Sequence, residues 1–223
     1  MSSTTLYRVS GLALLLGALL EIIVAIVRML LLPNDNPQQA VSMAQQYVSL
    51  AWLIVALLNF LSSLLIVGGL PGICIRQRAR AGWLGLVGFV LTLVSAILFV
   101  GIDVIDVLVL PYLAATAPHL LAPPASYAAY LLVAIVLVNV GIVLLGLATM
   151  RAGVFPRWAG LFLIVAAVIN LALFSPLPTI IGSIVGKIAG VLFALGLAWM
   201  GSTLLADREA KLVQPLATPQ VGD

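Results

Sequence analysis

Five ionisable side chains, Glu21, Arg28, Asp103, Asp106 and Lys187, stand inside long apolar runs of the chain. A charge in the hydrocarbon layer is costly, so such groups face a bundle interior or a wet cavity, pair with one another and mark ligand or proton paths. Counted at about 1.5 Å per residue from the prolines of the adjoining loops, Arg28 and Asp106 lie roughly 7 Å deep. On the same scale Asp103 and Lys187 lie about 12–14 Å deep, and Glu21, at about 18 Å, is near the midplane. These depths match Arg28 with Asp106 and Lys187 with Asp103. Asp103 and Asp106 are three residues apart and share one helix face, so both pairs can form together. Glu21 is left over, and a carboxyl without a partner in low dielectric takes up a proton in preference to holding a charge. Three amides, Asn59, Asn139 and Asn170, fall in the same outer half. The expected chemistry is that of an outward-facing polar pocket. Glu21, Arg28, Asn59, Asp103, Asp106, Asn139 and Lys187 line it, and it binds or transports a small ligand with proton coupling through Glu21. The competing expectation is interhelical glue, in which these groups satisfy one another to fix helix register. Arg28 and Asp106 are shallow enough to snorkel to the interface.

Other chemistries lack their parts. A serine or aspartyl protease within the membrane needs a nucleophile and base, or two acids, on facing helices. The single histidine, His119, is in a proline-flanked loop, and both aspartates of the apolar runs share one helix. The single cysteine, Cys74, excludes a disulfide within the chain, and no Cys-x-x-Cys, phosphate loop or multi-ligand metal cluster is present. A lysine opposite carboxylates suits a retinal Schiff base, but six apolar spans and few mid-depth aromatics argue against it. No cofactor is expected.

The elements that must position these groups are membrane spans. Of the 223 residues, 64% are apolar and 8% charged, with a mean hydropathy of +1.28. A soluble domain carries roughly a quarter charged residues. With 10 basic and 7 acidic residues the chain cannot coat a water-facing globule, which excludes a soluble enzyme or a nucleic-acid binder. A spanning helix needs about 20 apolar residues. Six stretches qualify: 9–31, 49–70, 82–110, 128–149, 158–174 and 179–205. Prolines fall between them, with Pro71 closing the second and Pro111 following the third, as expected for a residue that lacks an N–H and clashes with the preceding turn. The first span is longer than a signal-peptide core, contains Glu21 and has no cleavage motif after it, so it is expected to be retained.

Orientation follows the basic loops. Arg8, then Arg76, Arg78 and Arg80, then Arg151 and Arg157, then Arg208 and Lys211 flank alternate ends of the spans, and loops 33–48, 111–127 and 175–178 contain no Lys or Arg. Lys and Arg accumulate on the cytoplasmic side, so both termini are expected there. Trp83, Trp158, Trp199 and Tyr7 mark the inner interface, and Tyr47, Trp52, Tyr112, Tyr127 and Tyr130 the outer. The fold expected is all-α: one six-helix transmembrane domain over residues 1–205 and a flexible cytoplasmic tail over 206–223.

The last span carries Gly182, Gly186 and Gly190, continued by Ala194 and Ala198. A ridge of small residues lets helix backbones approach closely. It predicts packing inside the bundle, or contact with a second copy or a partner membrane subunit. The second function considered is accordingly a non-catalytic subunit or scaffold of a larger membrane complex. A third, a membrane enzyme acting on a lipid head group, has no supporting constellation.

The odd spans open alike, with Arg8-Val9-Ser10-Gly11-Leu12, Arg80-Ala81-Gly82-Trp83-Leu84 and Arg157-Trp158-Ala159-Gly160-Leu161. This register sets Glu21 opposite Asn170 and suggests three related helical hairpins. These openings, the run 151–160 (RAGVFPRWAG) and the ending 196–201 (GLAWMG) resemble a broad group of uncharacterised bacterial polytopic membrane proteins. The resemblance implies a multi-pass protein of the bacterial inner membrane and brings no activity or site residues.

Overall fold

Backbone amides in a layer without water must be satisfied within their own segment, and the α-helix does this locally. The computed structural model describes residues 3–32, 43–121, 125–172 and 179–213, and the regular structure among them is helical throughout. The elements are α1 (Ser3–Leu31), α2 (Met43–Tyr47), α3 (Leu50–Val104), a π-helical turn (Ile105–Val109), α4 (Leu110–Thr116), a 3-10 turn (Pro118–Leu120), α5 (Ala125–Ala152), α6 (Arg157–Ala172) and α7 (Thr179–Val213). Four stretches are long and apolar enough to cross a membrane: Thr5–Leu31, Leu50–Thr116, Ala129–Ala152 and Val185–Ala206.

The 55 residues of α3 would extend about 80 Å if straight, more than twice a hydrocarbon core of about 30 Å. The helix is broken at Gly82, whose φ of 59° and ψ of −155° only glycine adopts readily. The two limbs, 50–81 and 83–104, fold back on each other. Trp52 Nε1 donates to the Asp106 carbonyl at 3.0 Å, and Asn59 Nδ2 donates to Asp103 Oδ1.

Two proline expectations are corrected here. Pro71 lies inside α3, which continues past it to the Gly82 break. Pro111 sits in the first turn of α4, after a π-helical turn in which Leu110 N–H bonds Ile105 O. There the wider turn precedes the missing N–H of Pro111, so the rod continues to Thr116. α7 likewise runs on to Val213, into the segment expected to be a flexible tail; residues 214–223 lie outside the described ones.

The six rods (α1, two limbs of α3, α5, α6, α7) close into a ring through five interfaces with close glycine contacts and the α3 hairpin. α1 meets the first limb where Gly69 faces Leu14 and Gly72 faces Ser10. The second limb meets α5 where Gly88 faces the Leu144–Leu145 backbone and Gly141 faces Thr92. Gly146 and Gly160 bring α5 to α6, Gly196 brings α7 against Ala159 and Leu163, and Gly201 and Gly11 close α7 on α1. A Cβ at any of these positions would meet the facing helix within about 3 Å, so here the missing side chain is what lets the backbones touch. Each sequential pair of rods is antiparallel. Because Gly11 near the start of α1 lies against Gly201 toward the end of α7, the first helix starts and the last helix ends at the same end of the ring.

That terminal end is packed around Leu14, Leu70, Leu145, Leu163, Leu197 and Met200. A second cluster, Val24, Leu32, Trp52, Val55 and Ala56, seals α1 to the first limb at the opposite end. Outer faces are apolar: Leu12, Leu16, Leu19, Ile23 and Ile26 form one exposed stripe on α1. Trp83, Trp158 and Tyr112 are exposed, in keeping with interfacial anchors, whereas Trp52 is buried and spends its indole N–H inside the fold.

Candidate functional site

Between the two apolar clusters the ring surrounds a partly open cavity of about 310 Å³ to which all six rods contribute. Its size is at the lower end for small-molecule pockets. Glu21 comes from α1, Asn59 and Ser63 from the first limb of α3, and Thr92, Phe99 and Asp103 from the second. α5 supplies Asn139, α6 supplies Asn170, and α7 supplies Gly186, Gly190 and Phe193. On α1, the first limb of α3, α6 and α7 these positions belong to the half remote from the chain termini, whereas Thr92 and Asn139 lie near the middle of their rods. The walls are mostly apolar, with Ile66, Val138, Ile142, Ala166, Ala167 and Ala189 among them.

The polar groups are held in distinct ways. Asp103 is 3% exposed, and its Oδ1 accepts from Asn59 across the α3 hairpin. Its Oδ2 is buried without a well-formed hydrogen bond, and the Ser63 hydroxyl lies close enough to the carboxyl to act on it as a donor. Asn139, 1% exposed, donates from Nδ2 to the Ile135 carbonyl of its own helix at 2.7 Å, which fixes the amide and leaves Oδ1 buried and unpartnered. Thr92 Oγ1 donates to the Gly88 carbonyl at 2.8 Å. Ser62 Oγ is 2.9 Å from the Gly17 carbonyl and 3.2 Å from Glu21 Oε2. With Glu21 ionised, a single hydroxyl proton is divided between two acceptors. With Glu21 protonated, Ser62 donates to Gly17 and Glu21 donates to Ser62, and both contacts are full hydrogen bonds.

Of the residues expected to line a pocket, Glu21, Asn59, Asp103 and Asn139 do so together. Arg28, Asp106 and Lys187 are not among the lining residues. Arg28 is in the last turn of α1, where a cation complements the helix dipole, and its side chain is exposed. It remains close enough to act electrostatically on Glu21, Tyr47 and Asp106. Outside the spans, burial pushes the Tyr47 hydroxyl up from its usual value; the Asp106 charge adds to this and Arg28 opposes it. Asp106 contributes its carbonyl to Trp52 from within the π-helical turn.

Gly186 and Gly190, expected as a packing ridge, line the cavity, and a Cβ at Gly190 would meet nothing within 4 Å. The side chain position of Gly182 lies outside the described residues. Asn170 and Glu21, equivalent in the repeat register, face the same space. His119 is exposed on the 3-10 turn.

Sequence reasoning passed over Ser62, Ser63 and Thr92. Serine and threonine in apolar helices often bond their own preceding turn, so their types carry little signal. It also passed over the terminal half, where Gln77 and Thr149 are buried together with Thr149 Oγ1 3.1 Å from Gln77 Oε1. Gln77 lies in the helical stretch beyond Pro71 that was expected to be a loop. Among the described residues no group of three or more His, Cys, Asp and Glu could hold a metal ion. Compared with family models, curated proteins and solved structures, the chain shows no significant match.

Proposed function

We propose that the chain crosses the bacterial inner membrane six times with both termini in the cytoplasm, and that its central cavity binds or carries a small ligand reached from the opposite face. The observation that carries this reading is the cavity itself: every rod contributes to it, its walls are mostly apolar, and its polar groups converge from five of the six rods. Glue alone would leave such groups bonded to one another, yet Asn139 Oδ1 is buried without a partner and Asp103 Oδ2 has no donor nearer than the Ser63 hydroxyl beside its carboxyl. Glu21, bridged to Ser62, is the group that carries a proton through the cycle, with Arg28 and Asp103 as the charges that act on it.

The threading draws on length and charge. Each limb of α3 is long enough for its own crossing, and the 16 residues of α6 make the shortest, at about 24 Å. Arg76, Arg78 and Arg80 precede the Gly82 break, and Arg151 and Arg157 flank Gly153 (φ 61°), so the basic turns gather at the end where α1 starts. That end is the cytoplasmic one by the positive-inside rule.

The test is native mass spectrometry of protein extracted gently from its own host membrane. The wild type retains a discrete small molecule, and Gly190→Phe, which puts a ring into the cavity, does not. An empty wild type, or stoichiometric foreign membrane subunits in place of a small molecule, contradicts the reading and favours the accessory-subunit alternative.

A further inference from the structure

We infer that the ligand of this cavity is a small organic ammonium ion, which donates N–H bonds to Asp103 Oδ2 and Asn139 Oδ1 and lays an apolar body against Phe99 and Phe193. The inference rests on the cavity-binding reading and gives it a chemical class.

Three observations lead there. The first is the sign of what is missing. Buried polar atoms are normally bonded, so an orphan states what would complete it. Asp103 Oδ2 and Asn139 Oδ1 are both acceptors on side chains almost wholly buried, and both residues line the cavity. The occupant is therefore a donor. Both side chains are fixed by their other atom, since Asn139 Nδ2 donates to the Ile135 carbonyl and Asp103 Oδ1 accepts from Asn59.

The second observation is charge. The lining contains two carboxyl residues, Glu21 and Asp103, close enough to act on each other, and no lysine, arginine or histidine. Buried carboxylates are normally paired. Within the wall the two carboxyls meet only neutral donors, Ser62, Ser63 and Asn59, so a cation complements them, whereas an anion would be repelled.

The third is size and wall chemistry. A cavity of about 310 Å³ is far larger than a bare metal ion, and most of its surface is apolar. Phe99 and Phe193 offer aromatic surface, which attracts both the apolar portion of an amine and its charge. A protonated amine carrying a hydrocarbon or aromatic body matches all three demands.

The experiment uses the full-length protein in lipid nanodiscs. Binding of phenethylammonium is measured by calorimetry and thermal shift beside two probes of similar shape, the neutral phenethyl alcohol and the anionic phenylacetate, and beside sodium chloride. Phenethylammonium is expected to bind saturably, the alcohol more weakly and phenylacetate not at all. Asp103→Asn keeps an acceptor for Asn59 and removes the charge. It should weaken phenethylammonium binding by about 10- to 100-fold, the worth of a hydrogen bond to a charged group. Asn139→Leu should weaken it by a smaller factor and decides the case if Asp103→Asn does not fold. Equal binding of the alcohol, preference for phenylacetate, or a sodium effect of the same size overturns the ammonium assignment while leaving a binding cavity. Failure of all the organic probes also overturns it. The cavity reading itself falls only if the protein from the host membrane carries no small molecule.

Discussion

Replacing Gly141 with alanine would put a Cβ 2.6 Å from Thr92 N and 2.7 Å from Thr92 Oγ1 on the facing limb of α3. Its counterpart Gly88 would meet Leu145 N at 2.6 Å and the Leu144 carbonyl carbon at 2.9 Å. Most of these are backbone atoms, which no rotamer change can move aside, so the helices must separate. Overpacking of this kind costs about 1–3 kcal/mol, against a gain of about 0.5–1 kcal/mol when alanine replaces glycine in a helix. Gly190→Ala pays no such cost, because its Cβ enters open space, and it should be neutral or stabilising by up to about 1 kcal/mol. The two classes should therefore differ by roughly 1–3 kcal/mol, or about 5- to 150-fold in the folded-to-unfolded ratio. Reversible unfolding in mixed micelles, followed by tryptophan fluorescence and circular dichroism, measures the difference. The reasoning is refuted if Gly190→Ala destabilises as much as Gly141→Ala. α7 would then be closed on a neighbour at that level, with no cavity beside it.

Other expectations can be checked with the same preparation. Thr149→Val should cost about 1–3 kcal/mol by leaving the buried Gln77 amide without its partner, and adding Gln77→Leu should recover part of the loss; a double-mutant cycle with no coupling would contradict the pairing. Glu21→Gln preserves a donor to Ser62 Oγ, so the melting temperature should change little while ligand release loses its pH dependence. Unaltered pH dependence would remove Glu21 from the proton path. Reporter fusions at His119 and at Gly153 should report opposite sides of the membrane, the first extracytoplasmic, and agreement between them would overturn the threading.

What the sequence shows of this architecture, and what it hides, follows from where each signal resides. Spans are legible because apolar length is a property of a single segment. The break at Gly82 coincides with the expected start of the third span, since a backbone position with positive φ selects glycine. Pro71 misleads because proline only removes one bond and crowds one carbonyl, a loss that a long helix packed on α1 through Gly69 and Gly72 absorbs. Glu21, Asn59, Asp103 and Asn139 are recoverable because polar groups in apolar runs must face inward. Their partners are not, because depth fixes only one coordinate. Asp103 matches Lys187 in depth, yet it takes its bond from Asn59, which the α3 hairpin brings to it. The glycines of α7 show the same limit. A small-residue stripe signals that something comes close, and on Gly186 and Gly190 what comes close is the cavity.

The measurement that bears most directly on the central claim, a binding cavity open to the face away from the termini, is the reactivity of a thiol placed in its wall. Asn170→Cys on a Cys74→Ser background can be treated with a membrane-impermeant maleimide in right-side-out and inverted vesicles. The account predicts labelling in right-side-out vesicles and protection in inverted ones. Labelling confined to inverted vesicles, or absent from both, would contradict it.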